Sequence, residues 1–102
     1  MNQKDMVRIA RALGDPTRLR IYEGISGCSE MFCGQIVEKC GLTPGTISHH
    51  LKILGDANLI ESRREGQFIY FRALPQTIRE YGSALNRISY KKKSRRKVPA
   101  AK

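Results

Sequence analysis

The chain has 102 residues, 40% hydrophobic and 27% charged, which fits one small globular domain. Nineteen lysine and arginine residues against nine acidic residues give a formal net charge of +10, which favours a polyanionic partner, with nucleic acid ahead of a membrane surface. The sequence contains no apolar run of the roughly 18 residues that a bilayer span needs, and its first five residues lack the apolar stretch of a signal peptide.

Most of the charge excess belongs to the end of the chain. Seven basic residues and no acidic residue follow residue 90, whereas residues 1–90 hold twelve basic and nine acidic residues, a formal charge of +3. Residues 91–102 show no hydrophobic period, which is typical of a disordered segment. We therefore predict a folded domain over 1–90 and a disordered basic tail over 91–102.

Two helices are predicted in the first part of the chain. The apolar residues of the first recur at helical spacing: Met6, Ile9, Ala10 and Leu13. Gly14 can end this helix, while Asp15 can cap the next and Pro16 can open it. The expected buried side of the second helix consists of Leu19, Tyr22 and Ile25, with Arg18 and Arg20 open to solvent.

A helix-turn-helix is predicted next. A short third helix, from about Met31 to Lys39, carries a core stripe of Cys33, Ile36, Val37 and Cys40. A turn at 41–42 leads to a fourth helix, for which Thr43 is the cap and Pro44 the first residue. Its apolar stripe consists of Ile47, Leu51 and Leu54. Two helices joined by a short turn containing glycine are typical of this motif, in which the second helix reads the DNA major groove.

A basic hairpin and a last helix complete the predicted fold. Residues 59–63 and 68–72 have the pattern of strands, and the link between them contains Gly66, which suits a tight turn. The last helix, starting at 74–75, has an apolar stripe of Ile78, Tyr81, Leu85 and Ile88. We expect this stripe, with Met6 and Ile9, to form a dimer interface; packing onto the chain's own domain is the alternative. The order α-α-α-α-β-β-α predicts a mainly α (α+β) winged helix-turn-helix that dimerises through its terminal helices.

The fourth helix and the hairpin tip supply the predicted DNA contacts, because their outer faces are small, polar or cationic. The predicted DNA-binding residues are Thr43, Gly45, Thr46, Ser48, His49, Lys52, Arg63, Arg64 and Gln67. Ser48 and His49 would hydrogen-bond base edges, while Thr46 and Lys52 suit phosphates. His50 precedes a buried position and is expected to serve the fold. The predicted partners are double-stranded DNA and a second copy of the chain.

Three blocks of sequence resemble the ArsR (arsenical-resistance repressor) family. Residues 12–21 (ALGDPTRLRI) are similar to its opening signature, 46–54 (TISHHLKIL) with 57–60 (ANLI) to its recognition helix, and 63–67 (RREGQ) with 70–72 (YFR) to its wing. The resemblance covers about residues 5–88 and implies a homodimeric repressor that binds an imperfect promoter palindrome and leaves it when an inducer binds. Family members commonly carry serine and glutamine near positions 43–45, so the operator sequence stays open.

The metal-binding residues of that family are not found at the matching positions of this sequence. Its third-helix box reads Glu-Leu-Cys-Val-Cys-Asp-Leu, whereas residues 30–36 read EMFCGQI, so that Phe32 and Gly34 stand where the ligand cysteines would be. Its other site uses acids and histidines of the terminal helix, where residues 75–89 contain only Glu80. We expect no metal site and no cofactor.

The three cysteines leave one alternative open. Their odd number argues against a disulfide framework and favours a cytoplasmic protein. Cys33 and Cys40 are expected to behave as small hydrophobes on the buried stripe, and Cys28 to lie in an exposed loop. The alternative is thiol-based sensing of arsenite, a copper(I)-like ion or oxidants by these three residues, although their spacing matches no standard zinc pattern.

The sequence as a whole predicts a DNA-binding transcriptional regulator, and the resemblance favours a repressor. An RNA-associated winged-helix module is the alternative that the basic tail favours, but the sequence offers no evident aromatic platform. We do not expect the protein to be an enzyme, because both histidines belong to the groove-facing helix and no carboxylate is placed to orient either one. The inducer, the operator and the role of the tail are not predicted.

Overall fold

The computed structural model describes the backbone of residues 1–95 and the side chains of residues 1–89. The elements in this range are α1 (Gln3–Leu13), α2 (Pro16–Ser26), β1 (Met31–Phe32), α3 (Cys33–Cys40), α4 (Pro44–Asp56), β2 (Ile60–Glu65), β3 (Phe68–Ala73) and α5 (Pro75–Arg95). The predicted winged helix-turn-helix is confirmed. Helix α5 continues five residues past the predicted domain end at residue 90, and the remainder of the predicted tail, 96–102, lies outside the described residues.

Local capping signals determine where the helices begin. The Asp15 carboxylate accepts the Arg18 amide at 2.9 Å, and Pro16 is the first residue of α2. This hydrogen bond lowers the pKa of the Asp15 carboxyl. The Thr43 hydroxyl accepts the Thr46 amide at 3.3 Å in the same way at the start of α4. The predicted caps of α2 and α4 are therefore confirmed.

Positive backbone angles mark the turns. Gly41 ends α3 with φ 68°, and Asn58 follows α4 in the left-handed conformation, with φ 62°. Gly66 has φ 62° at the first of the two residues between β2 and β3, where a type II′ hairpin turn requires a positive angle. The predicted hairpin is confirmed, and each strand is one residue longer than expected.

Two expectations about α1 and α2 are wrong. Leu19 is 39% exposed, and Ile21 is buried together with Ile25. At about 100° per residue, Ile21 lies within about 40° of Ile25 around the helix, whereas Leu19 lies about 120° away. In α1 it is Ala12, three residues after Ile9, that is buried, while Ala10 is exposed.

A short strand that the sequence does not reveal precedes α3. Met31 pairs with Phe71 and Phe32 with Tyr70 in antiparallel register, which gives a three-stranded sheet in the order β1-β3-β2. Helix α3 therefore begins at Cys33, two residues later than predicted. A strand of two residues is too short for a period of two to identify it.

One hydrophobic core joins the helices to the base of the hairpin. Its buried members are Ile9, Ala12, Ile21, Ile25, Met31, Ile36, Ile47, Leu51, Leu54, Ala57, Leu59 and Ile60. Ile78 and Tyr81 of α5 pack against this core from outside. No helix among the described residues is long and apolar enough to cross a membrane.

Candidate nucleic-acid interface

Helix α4 has one buried face and one exposed face. Ile47, Leu51 and Leu54 are buried in the core, as predicted. The predicted contact residues of the other face are all exposed: Thr43, Gly45, Thr46, Ser48, His49 and Lys52. Between α3 and α4 lie three residues, 41–43, which is the length of a helix-turn-helix turn. The structure therefore places α4 as the second, outward-facing helix of this motif.

The amino-terminal end of α4 suits an anion. Its first turn contains no acidic residue, so the positive end of the helix dipole is not neutralised there. The hydroxyls of Thr43 and Thr46 lie 2.9 Å apart and remain exposed beside that end. Farther along, the Lys52 ammonium lies 3.4 Å from Asp56, and both side chains are well exposed, so this pair opens at little cost.

Arg18 is a structural anchor, and the expectation that it is open to solvent is wrong. Its Nε donates to the carbonyl oxygen of Ala12 at 2.8 Å and its Nη2 to that of Arg11 at 3.2 Å. Its Nη1 lies 3.3 Å from Nδ1 of His50, an arrangement that is a hydrogen bond when this nitrogen accepts. Arg18 thus ties α2 to the end of α1 and to α4, and half-buried His50 serves the fold as predicted.

Arg63 of the hairpin is held by neighbouring groups. Its Nε and Nη2 donate to the two carboxylate oxygens of Glu30 at 2.6 and 2.9 Å, and its Nη1 donates to Glu65 at 3.0 Å. The guanidinium carbon lies 4.6 Å from the centre of the Tyr70 ring. We call this arrangement of Glu30, Arg63, Glu65 and Tyr70 the wing clamp. It gives Arg63 a fixed position on the outer face of the sheet.

The other two predicted DNA contacts of the wing, Arg64 and Gln67, are free of such contacts in the described part of the chain. Arg64 precedes the turn, Gln67 lies in it, and both side chains are exposed. Arg64 makes no ion pair with a described residue. The structure thus separates the three predicted wing contacts into one engaged arginine and two accessible side chains.

The wing clamp predicts a titration result. Hydrogen bonding by Arg63 holds the pKa of the Glu30 carboxyl below its ordinary value of 4.5. Because the folded-state pKa is lowered, the stabilisation is present at neutral pH and is lost as pH falls through that lowered pKa. Carbon-13 NMR titration should show the Glu30 pKa returning toward 4.5 in Arg63→Gln. The same pKa in wild type, in Arg63→Gln and in the matched surface variant Arg79→Gln would contradict the clamp.

Aromatic rings also gather on the outer face of the sheet, which the sequence does not show. The Phe32 ring lies edge-on to Phe68 at 5.9 Å and to Tyr70 at 6.2 Å between centres. The Phe68 side chain is exposed, but the Tyr70 ring is covered by Arg63. Rings packed edge to face do not form the parallel stacking platform on which single-stranded bases are recognised.

The cysteines are not gathered into one site. Cys28 is exposed, as predicted, and Cys33 and Cys40 are half-buried with free thiols. Cys33 and Cys40 lie seven positions apart on one helix, a rise of about 10 Å, which is too far for a disulfide. Within the described residues no group of three histidine, cysteine or acidic side chains is placed to hold a metal ion. Thiol-based sensing stays a prediction.

The predicted dimer residues fall into three groups. Ile9 is only 1% exposed and belongs to the core of its own protomer, so its assignment to a dimer interface is wrong. Ile78 and Tyr81 are half-buried against the same core, and Met6 is half-buried on α1. Leu85 and Ile88, in contrast, are 46% and 51% exposed. Among the described side chains of α5, Leu85 and Ile88 therefore form the apolar surface that the fold leaves uncovered.

Comparison with known proteins identifies the family. The sequence profile of a helix-turn-helix domain family matches residues 13–63. The transcriptional repressor SdpR of Bacillus subtilis is 41% identical over 66 residues, which cover 65% of this chain and 72% of SdpR.

Two solved structures have the same fold. An ArsR-like transcriptional regulator from Rhodococcus sp. RHA1 superposes with a TM-score of 0.84 at 24% identity, over 90% of this chain and 86% of that one. The homodimeric winged helix-turn-helix DNA-binding domain of a possible ArsR-family regulator from Mycobacterium bovis gives 0.69 at 27% identity, over 86% and 80%. The chain belongs to the ArsR family of winged helix-turn-helix transcriptional regulators.

Proposed function

We propose that the protein is a homodimeric transcriptional repressor that binds a palindromic operator in double-stranded DNA. The observation that carries this proposal is the outer face of α4, which is exposed and hydrogen-bonding while the opposite face is locked into the core. A helix held in this way presents its side chains to the major groove without rearrangement. The similarity to the transcriptional repressor SdpR supports the assignment to repression.

The predicted contact residues have distinct roles in this proposal. Ser48 and His49 approach base edges and select the sequence, since they are exposed on the middle of the reading helix. Thr43, Gly45, Thr46 and Lys52 approach phosphates, as do Arg64 and Gln67 from the wing. Arg63 contributes by orienting the wing, because each of its three nitrogen atoms already donates to Glu30 or Glu65.

The dimer is proposed to form through the terminal helices. Leu85 and Ile88 of α5 and Val7 of α1 are large exposed apolar side chains, and a second protomer would remove them from water. Two-fold symmetry then brings two copies of α4 to successive major grooves, about 34 Å apart. In this proposal the domain over 1–90 supplies both DNA binding and dimerisation. We place the protein in the cytoplasm with its DNA.

Charged residues on the exposed part of α5 should break the dimer. We expect Leu85→Glu with Ile88→Glu to give monomers in analytical ultracentrifugation, because two carboxylates would have to be buried on association. Operator affinity should fall at least tenfold, since one half-site is lost. The charge-matched control is Arg79→Gln with Arg87→Gln, which lowers the charge by the same two units on exposed positions of the same helix. Dimers that persist in the Leu85/Ile88 variant would refute the interface.

The proposal is tested by selecting binding sites from random duplex DNA with the full chain and then footprinting the selected sequence. We expect an imperfect palindrome with two protected major-groove segments one helical turn apart. A pool that acquires no common sequence, or a footprint of a single segment, would contradict a homodimeric operator-binding repressor. Enrichment of single-stranded RNA over duplex DNA in a parallel selection would instead support the RNA-associated alternative.

A further inference from the structure

A cleft of about 410 Å³ lies between α2 and α3, away from the reading face of α4. Buried Ile21, Met31 and Ile36 line its floor, and the half-buried thiol-bearing Cys40 closes one side. Cavities of this size are in the range that small-molecule sites occupy, and such sites are mostly apolar with a few polar groups at defined positions. Apolar burial would therefore supply most of the binding free energy.

The mouth of the cleft carries a positive charge excess. Arg20 of α2 and Lys39 of α3 line it from opposite sides, together with one acid, Glu23. Neither cation makes an ion pair with a described residue. Two cations against one carboxylate at the edge of an apolar floor attract an anionic group whose hydrophobic body enters the cleft.

We propose that this cleft is the effector site of the protein and that its ligand is a small carboxylic acid with an apolar body. The ligand's apolar part would lie on Ile21, Met31 and Ile36, and its carboxylate would lie between Arg20 and Lys39. Binding would change the affinity for DNA, a consequence that rests on the repressor function proposed above.

The walls of the cleft are connected to the reading helix. Helix α2 carries Arg18, which bonds the carbonyl oxygens at the end of α1 and contacts His50 of α4. Helix α3 is joined to α4 by the three residues 41–43. A ligand that favours one separation of α2 and α3 therefore acts on both supports of α4. The factor by which the ligand changes the affinity for DNA equals the factor by which the ligand's own affinity differs between DNA-bound and DNA-free protein.

Octanoate is a suitable probe, and the three methionines report its position. In protein labelled with carbon-13 at the methionine methyl groups, we expect octanoate to shift the Met31 signal while Met1 and Met6, which do not line the cleft, stay unchanged. The neutral analogue 1-octanol should bind more weakly. Arg20→Gln with Lys39→Gln should remove this preference for the carboxylate, and Arg79→Gln with Arg87→Gln is the charge-matched control.

Gly24 allows the cleft to be filled without unfolding the protein. A Cβ atom added there would meet nothing within 4 Å, and a helical glycine is replaced at a gain in helix propensity. Gly24→Leu should therefore weaken octanoate binding about tenfold or more, whereas Gly24→Ala, with the same gain in propensity and one methyl group, should weaken it much less. Both variants should retain their thermal stability.

Operator affinity measured with and without saturating octanoate completes the test. A Met31 shift that Gly24→Leu suppresses, together with an octanoate-dependent change in operator affinity, would support the proposal. The proposal is overturned by the absence of a Met31 shift, by equal binding to Gly24→Leu, or by operator affinity that octanoate leaves unchanged. Failure of the ligand-free protein to bind any operator would instead overturn the repressor function, and the Met31 titration would still decide whether the cleft binds a carboxylate.

Discussion

Replacing Leu54 by alanine should lower the free energy of unfolding by about 2–5 kcal/mol. The Leu54 side chain of α4 has no exposed surface and lies in the core shared by the helices and the base of the wing. Truncation would remove its burial and leave a cavity that close-packed neighbours fill only in part. For a domain of about 100 residues, whose total stability is of order 5–15 kcal/mol, a loss of this size removes a large share of the free energy of unfolding.

Leu19→Ala is the matched control for this prediction. It makes the same chemical change on the neighbouring helix α2 at a side chain that is 39% exposed, so we expect a loss below about 1 kcal/mol. Urea denaturation of both variants at one fixed protein concentration gives the comparison, because dimer formation makes stability depend on concentration. Equal losses for the two variants would contradict the burial of Leu54 in the core and the position of Leu19 outside it.

Replacing Ser48 and His49 together by alanine should lower operator affinity about 10- to 100-fold while leaving affinity for unrelated duplex DNA nearly unchanged. Base-edge hydrogen bonds carry sequence discrimination, at about 1–3 kcal/mol for each good bidentate pair and less for the single hydrogen bonds that Ser48 and His49 would form. Both side chains are exposed and contribute nothing to the buried stripe of α4, so the variant should fold normally. Fluorescence anisotropy with operator and scrambled duplexes measures the ratio.

Lys52→Gln distinguishes a phosphate contact from a base contact on the same helix. We expect it to weaken binding to operator and scrambled DNA by similar factors and to reduce the salt dependence by about one counterion per protomer, which is about two per dimer. If Ser48→Ala with His49→Ala weakened binding to the operator and scrambled duplexes equally, the two residues would not read bases. If Lys52→Gln weakened only operator binding, the assignment of this residue to phosphates would be wrong.

The parts of the fold that local chemistry determines were predictable from the sequence. Asp15-Pro16 and Thr43-Pro44 identify helix starts because a capping side chain and a following proline act within four residues. Ile47, Leu51 and Leu54 identify the buried face of α4 because helical spacing alone brings them together. Asn58 and Gly66 occupy the left-handed positions that their residue types favour.

Contacts that depend on tertiary structure were not predictable in this way. Glu30 and Arg63 are thirty-three residues apart in the sequence, and no spacing rule joins them. Arg18 meets His50 only because α2 crosses α4, thirty-two residues later. Ile9 was assigned to the wrong surface because an apolar stripe does not tell whether the chain's own core or a second protomer covers it. The sequence thus indicated which residues belong to the candidate site. It did not indicate that Arg63 of the wing is already bonded to Glu30 and Glu65.

The dependence of DNA affinity on salt tests the central proposal most directly. A repressor whose reading helix and wing neutralise phosphates must release counterions, at about 0.9 per phosphate in the slope of log K against log salt concentration. With the full chain and its selected operator, we expect a clearly negative slope equivalent to several phosphate contacts per dimer, together with a shallower slope for Lys52→Gln. A slope near zero would contradict the account.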